Sequence, residues 1–147
     1  MTRLVAELTG AGLALWVARA AGIEHVMRGE WPAIVEQWDP EAPASEHVGH
    51  PEYANYIHFR PHEEWSQGGP IIERANISLH PPTSPVHRCG GPNAGAGQSG
   101  VWSACTWTHG ANGKRAFGMD DRSPLVAAMR CYVRYVYGDA VSDEVTP

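Results

Sequence analysis

Residues 65–74 read WSQGGPIIER, and the fold turns on how these ten are taken. Gly68, Gly69 and Pro70 are poor occupants of a helix or sheet interior, so the run predicts a turn. The next stretch, IIERANISLH over 71–80, is β-branched and alternating, which predicts a strand after that turn. A turn of this composition also has a functional reading. Trp65 offers a ring for a nucleobase to stack on, and Gln67 offers a donor and an acceptor to a base edge. Gly68 and Gly69 let bare main chain approach a ligand, and Arg74 can clamp a phosphate. The ordinary alternative is that Trp65 plugs the core beside the turn and Arg74 pairs with Glu73 or another neighbour.

Upstream, Thr9 stands as a helix N-cap, and Leu13, Trp16, Val17 and Ala20 recur at helical spacing before Gly22. Residues 3–8 read as a short strand or lead-in, and WPAIVEQW over 31–38 as one or two helical turns. YANYIHF, from Tyr53, is a possible strand. Downstream, VWSACTWT alternates from residue 101 with the period-2 signature of a strand, and HGANGKRAFG turns into a further extended piece. The clearest element follows. Ser123 is an N-cap, Pro124 takes the first helical position, Leu125, Met129, Tyr132, Val133 and Val136 line one face, and Gly138 closes the helix.

The sum is a single α+β domain over 1–147. Two main helices flank a small, mostly antiparallel sheet, with Gly/Pro-rich loops at 39–52 and 81–100 and an acidic tail at 139–147. A chain of 147 residues with 43% hydrophobic content buries a core without a disulfide or metal staple. Its net charge of −5 argues against broad nucleic-acid binding or adhesion to a membrane surface. No apolar run reaches the ~18 residues of a membrane span. The apolar stretch from Arg3 to Gly22 reads as an amphipathic helix rather than a signal peptide, since Glu7, Gly10 and Gly12 break it. Three widely spaced cysteines, Cys89, Cys105 and Cys131, suit a reducing compartment, so the cytoplasm is the expected location.

Other candidate groups carry weaker signals. The N-terminus of the last helix presents free N–H groups that suit an anion, with Ser123 as donor, although Asp120 and Asp121 stand just ahead. Arg130 lies two turns into that helix, where the ordinary reading is a solvated or salt-bridged arginine. His47/His50 and His58/His62 have spacings that a metal site uses, but no HExxH or CxxC accompanies them, and surface histidines are the expectation. Cys105 in a strand and Cys131 in a helix read as small packed hydrophobes. No cofactor motif is present, and the glycine-rich segment from Cys89 lacks the Lys-Ser/Thr of a phosphate loop.

Three segments together resemble the NinX-like family of small phage accessory proteins. They are ELTGAGLALWVARAAG near the start, WSQGGPIIER in the middle and SPLVAAMRCYVRYVYGD near the end, in that order. The segments at 39–52 and 81–100 look like insertions relative to shorter members. Where the family pattern has Thr-Asp before the tryptophan, this chain has Glu63 and Glu64. The resemblance implies a phage or prophage origin and an intracellular setting in the bacterial host. With the residues above it leads to the expectation of a non-enzymatic protein that sequesters a nucleotide-derived immune signal. Trp65, Gln67, Gly68, Gly69, Arg74, Ser123 and Arg130 are the candidate ligand-binding residues, and a homo-oligomer is expected. The alternatives are a protein-binding inhibitor of a host factor and a small hydrolase acting on a nucleotide derivative.

Overall fold

A computed structural model describes residues 2–38, 54–82, 101–107, 115–120 and 122–142. Three helices and eight strands are present among them, and every described ladder is antiparallel. The α+β expectation therefore holds, with three small sheets where one was expected. The segments at 39–53 and 83–100, with their loops and His47, His50 and Cys89, lie outside the described residues.

The chain starts with strand β1 (Thr2–Leu4), a 3-10 turn over Val5–Glu7, and helix α1 (Gly10–Ala21). Helix α1 buries Leu13, Ala14, Val17 and Ala18, a stripe at helical spacing that faces the core. Trp16 sits at the rim of that stripe, edge-on to Tyr137 at 5.3 Å and covered by the Arg19 guanidinium at 4.8 Å. Thr9 occupies the N-cap, but its side chain makes no capping bond. The helix ends on Gly22 at φ +65°, with Gly22 N–H donating to the Arg19 carbonyl and Ile23 N–H to that of Ala18. This is the paired-bond C-terminal stop that a left-handed residue permits.

The second sheet is a meander of β2 (Val26–Arg28), β3 (Trp31–Trp38) and β4 (Ala54–His58). The expectation of helical turns at 31–38 is thus corrected. Ile34 and Val35 favour a pleated surface, and β3 gains ladders on both sides, which two isolated helical turns cannot match. Pro32 near its start donates nothing but accepts from Phe59 N–H at 2.7 Å.

Helix α2 (Trp65–Arg74) comprises the ten residues whose composition predicts a turn. The strand expected over 71–80 shrinks to β5 (Ser78–His80), which joins β6 (Trp102–Trp107) and β7 (Arg115–Asp120) in the third sheet. Helix α3 (Pro124–Tyr137) lies across β6 and β7 and packs on α1. It buries Leu125, Ala127, Ala128, Met129, Cys131 and Val133, a wider face than the one expected, because it is covered from two sides. Tyr132 is half-buried and Val136 exposed as a result. The first residues of the acidic tail are ordered: β8 (Ala140–Ser142) pairs with β1 and buries Val141. Residues 143–147 lie outside the described residues.

Candidate functional site

Helix α2 places Trp65 at its start and Arg74 at its end. At about 1.5 Å rise per residue the two stand some 14 Å apart, too far to grip one small group together. Trp65 is 54% exposed. The other residues expected at the 65–69 loop are engaged elsewhere. Gln67 accepts a hydrogen bond from Arg60 N–H and donates to the His58 carbonyl at 3.2 Å, fastening α2 to the exit of β4. Gly68 is buried because α2 crosses the chain at Pro61: a Cβ there would collide with the Pro61 carbonyl oxygen and meet Leu125 Cδ2 at 2.8 Å. Its bareness serves packing between protein segments. A Cβ on Gly69 would meet nothing within 4 Å, so no close approach requires a glycine there.

At the start of α3 the anion position is filled by the chain itself. Asp120 Oδ2 accepts from Arg122 N–H at 2.9 Å and from Ser123 N–H at 2.7 Å, while Ser123 Oγ accepts from Val126 N–H at 3.2 Å. A carboxylate at this point satisfies the free amides and the helix dipole. Arg130 is held inside the same arrangement, donating to the carbonyls of Leu8 at 3.0 Å and Met119 at 2.7 Å and to Asp120 Oδ1 at 3.2 Å. Asp120 thus ties the α3 N-terminus to β7 and, through Arg130, to Leu8 just after the 3-10 turn, a role that its position just before Ser123 hints at in the sequence.

His58 and His62 come together on β4 and the turn after it. Both imidazoles stack parallel to the Trp31 indole, at 5.9 and 5.8 Å, and the Arg60 guanidinium lies 4.5 Å from that ring. Burial lowers the His62 pKa from its ordinary value, with Arg60 pulling the same way and Glu63 opposing. Neither ring nitrogen of His62 has a hydrogen-bond partner. No group of three metal-binding side chains occurs among the described residues.

Arg74 borders a cleft of about 400 Å³ lined by Ala21, Arg74, Ala75, Asn76, Thr106, Tyr132 and Tyr135. The cleft forms where α1 and α2 end against β6 and α3. Tyr132 donates to the Ala20 carbonyl at 3.3 Å, which turns its ring along the cleft wall. Burial raises the Tyr132 pKa, and the nearby Arg74 charge opposes that rise. Thr106 Oγ1 donates to the Ala75 carbonyl at 2.6 Å and keeps its acceptor capacity. Arg74 is exposed and makes no ion pair among the described residues. Asn76, Thr106, Tyr132 and Tyr135 escape sequence reasoning because 71–80 reads as a strand, which hides the helix end that brings them together. The i, i+3 spacing of Tyr132 and Tyr135 on the last helix is the signal that was there to find.

Under this cleft Cys131 is fully buried, its thiol pushed up to about 12 by desolvation, and it acts as the packed hydrophobe expected. Cys105 differs from the expectation of a free packed thiol: it is disulfide-bonded.

These features define a small α+β domain with one arginine-bearing aromatic cleft at the meeting of two helix C-termini. The chain belongs to the family described as Bacteriophage P22, NinX, whose model matches residues 4–135. No curated protein matches it. Just before α2, Glu63 forms an ion pair with Arg60 at 3.4 Å and lies 3.6 Å from Nε2 of the neutral His62. Glu64 sits at the α2 N-cap without a side-chain capping bond. Among the described residues, no helix is long and apolar enough to cross a membrane.

Proposed function

We propose that this phage-family protein binds a nucleotide-derived signal of the host's immune defence and withholds it without cleaving it, inside the infected bacterial cell. The observation that carries this reading is the Arg74 cleft. It offers a guanidinium without an ion partner among the described residues, the rings of Tyr132 and Tyr135, and the polar groups of Asn76 and Thr106. Its volume falls within the range typical of small-molecule sites. Phosphate on Arg74 and a base or ribose against a tyrosine ring is the pose this set supports. Binding is favoured over hydrolysis because the described lining residues include no carboxylate or imidazole to act as general base, and Cys131 beside them is a buried, neutral thiol. One chain lines the cleft, so the proposed homo-oligomer is not required for capture.

Incubation with 3′,5′-cyclic nucleotides, cyclic dinucleotides and ADP-ribose-type signals, followed by measurement of free ligand, tests this. Heat denaturation should return the bound ligand with its mass unchanged, and Arg74→Ala should abolish depletion while Trp65→Ala leaves it intact. A product of altered mass supports the hydrolase instead. The exposed Trp65 indole favours a second reading, a protein-binding inhibitor of a host factor. Absence of depletion by every ligand, together with capture of a host protein that Trp65→Ala abolishes, would favour it.

A further inference from the structure

The cleft has an electrostatic character that narrows the ligand class, an inference that rests on the nucleotide-binding reading above. Two helices end on it. Ala21, the last residue of α1, and Arg74 at the end of α2 both line its wall, and Ala75 and Asn76 continue from α2. Each helix C-terminus carries roughly half a negative charge. Against them, among the described lining residues, stands the Arg74 guanidinium, with the exposed Glu73 next to it in sequence and a net chain charge of −5. Among the described residues that line it, such a site offers one cation, Arg74, to meet a negative charge in direct contact, and no other to neutralise a second.

A second observation concerns the shape of the wall. Helices α1 and α2 end in the same motif. In α1, Gly22 and Ile23 donate to the carbonyls of Arg19 and Ala18; in α2, Asn76 and Ile77 donate to those of Glu73 and Ile72, at 3.2 and 3.0 Å. Position 22 takes the glycine that a left-handed residue favours, whereas position 76 takes asparagine at φ +53°. Asn76 is the only non-glycine residue with positive φ among those described, and it lines the cleft with Arg74. A motif that needs no side chain carries here an amide able to donate to a phosphate or base oxygen and to accept from a base N–H.

The geometry points to a site for mononucleotides carrying one negative charge, the 3′,5′-cyclic phosphodiester class, held by Arg74 and Asn76 with the base or ribose against Tyr132 or Tyr135. Ligands with two charges are disfavoured: cyclic dinucleotides, ADP-ribose and nucleoside monophosphate monoesters, whose phosphate carries about −1.5 to −2 at neutral pH.

The test is equilibrium titration of the purified chain with 3′,5′-cyclic AMP, 3′,5′-cyclic GMP, AMP, ADP-ribose and a cyclic dinucleotide in one buffer. At least one cyclic mononucleotide should bind roughly tenfold or more tightly than its two-charge counterparts, the factor that about 1.4 kcal/mol of uncompensated charge sets. Asn76→Gly should lower that affinity while keeping or raising the melting temperature, since glycine suits the position. Preferential or equal binding of a two-charge ligand would overturn the charge selection and leave the sequestration reading standing. So would unchanged cyclic-nucleotide affinity in Asn76→Gly for the role of that amide. No binding of any nucleotide would remove both.

Discussion

Gly68 has no side chain because the main chain of Pro61 occupies the space one would need. The obstacle is a backbone carbonyl, which cannot swing aside as the end of a long side chain can. Gly68→Ala should therefore destabilise the protein by about 1–3 kcal/mol, read as a lower urea midpoint. Trp65, three positions away and exposed, is its control: Trp65→Ala should change stability by no more than about 0.5 kcal/mol. His62 sets a pH limit. Its pKa in the folded protein lies below the unfolded value of 6.5, so the unfolded chain binds more protons as pH falls through that value. The stability gained by burying a neutral imidazole is whole above pH 6.5 and is lost as pH drops towards the folded pKa. Denaturation midpoints between pH 7.5 and 5.5 should fall in the native chain, and His62→Phe, which keeps a ring against Trp31, should flatten that slope.

At the scale of elements, α3 and α2 show opposite relations between local sequence and structure. Ser123, Pro124, a periodic apolar face and Gly138 specify α3 locally, and the structure has it within those bounds. Helix α2 holds two glycines and a proline, each unfavourable in a helix by roughly 1 and 3 kcal/mol respectively. It forms because tertiary contacts override that preference. Ile71 is buried, Gly68 fits against Pro61, and Gln67 bonds the main chain at 58 and 60. Ser66, whose carbonyl lacks the partner that Pro70 cannot supply, is exposed to water. None of these contacts is local in sequence, so no periodicity announces the helix. Asp120 is the comparable hub for α3. Asp120→Ala removes the acceptor shared by two amides and leaves the mostly buried Arg130 without its carboxylate, which should destabilise the protein by about 2 kcal/mol or more. Thermal unfolding of that variant beside Asp120→Asn separates capping from charge, since asparagine retains a cap.

Across the whole molecule, β1 and β8 bring residues near the two ends of the described chain together. Thr2 lies opposite Ser142 and Leu4 opposite Ala140, and Val5 N–H donates to the Asp139 carbonyl at 2.9 Å. A two-stranded ribbon is marginal by itself, so this one depends on Val5 and Val141 entering the core. Ending the chain at Asp139 should lower its stability by about 1.5–3 kcal/mol, the value of burying Val141, and lower the melting temperature accordingly. Retention of the native midpoint would show that the ribbon contributes nothing.

The sequence by itself determined the mixed class, helices α1 and α3, the extended segments at 54–58 and 102–107 and the family, because local spacing, caps and alternating patterns are properties of neighbouring residues. It also brought Arg74 to notice. Only the tertiary structure decided that 31–38 is a strand and 65–74 a helix, and that Gln67, Gly68, Ser123 and Arg130 hold the chain to itself. It also decided that Arg74 meets Asn76, Thr106 and two tyrosines. The reason is that burial, ladder pairing and close backbone approach join residues tens of positions apart. Their energies exceed the local preferences from which a sequence is read.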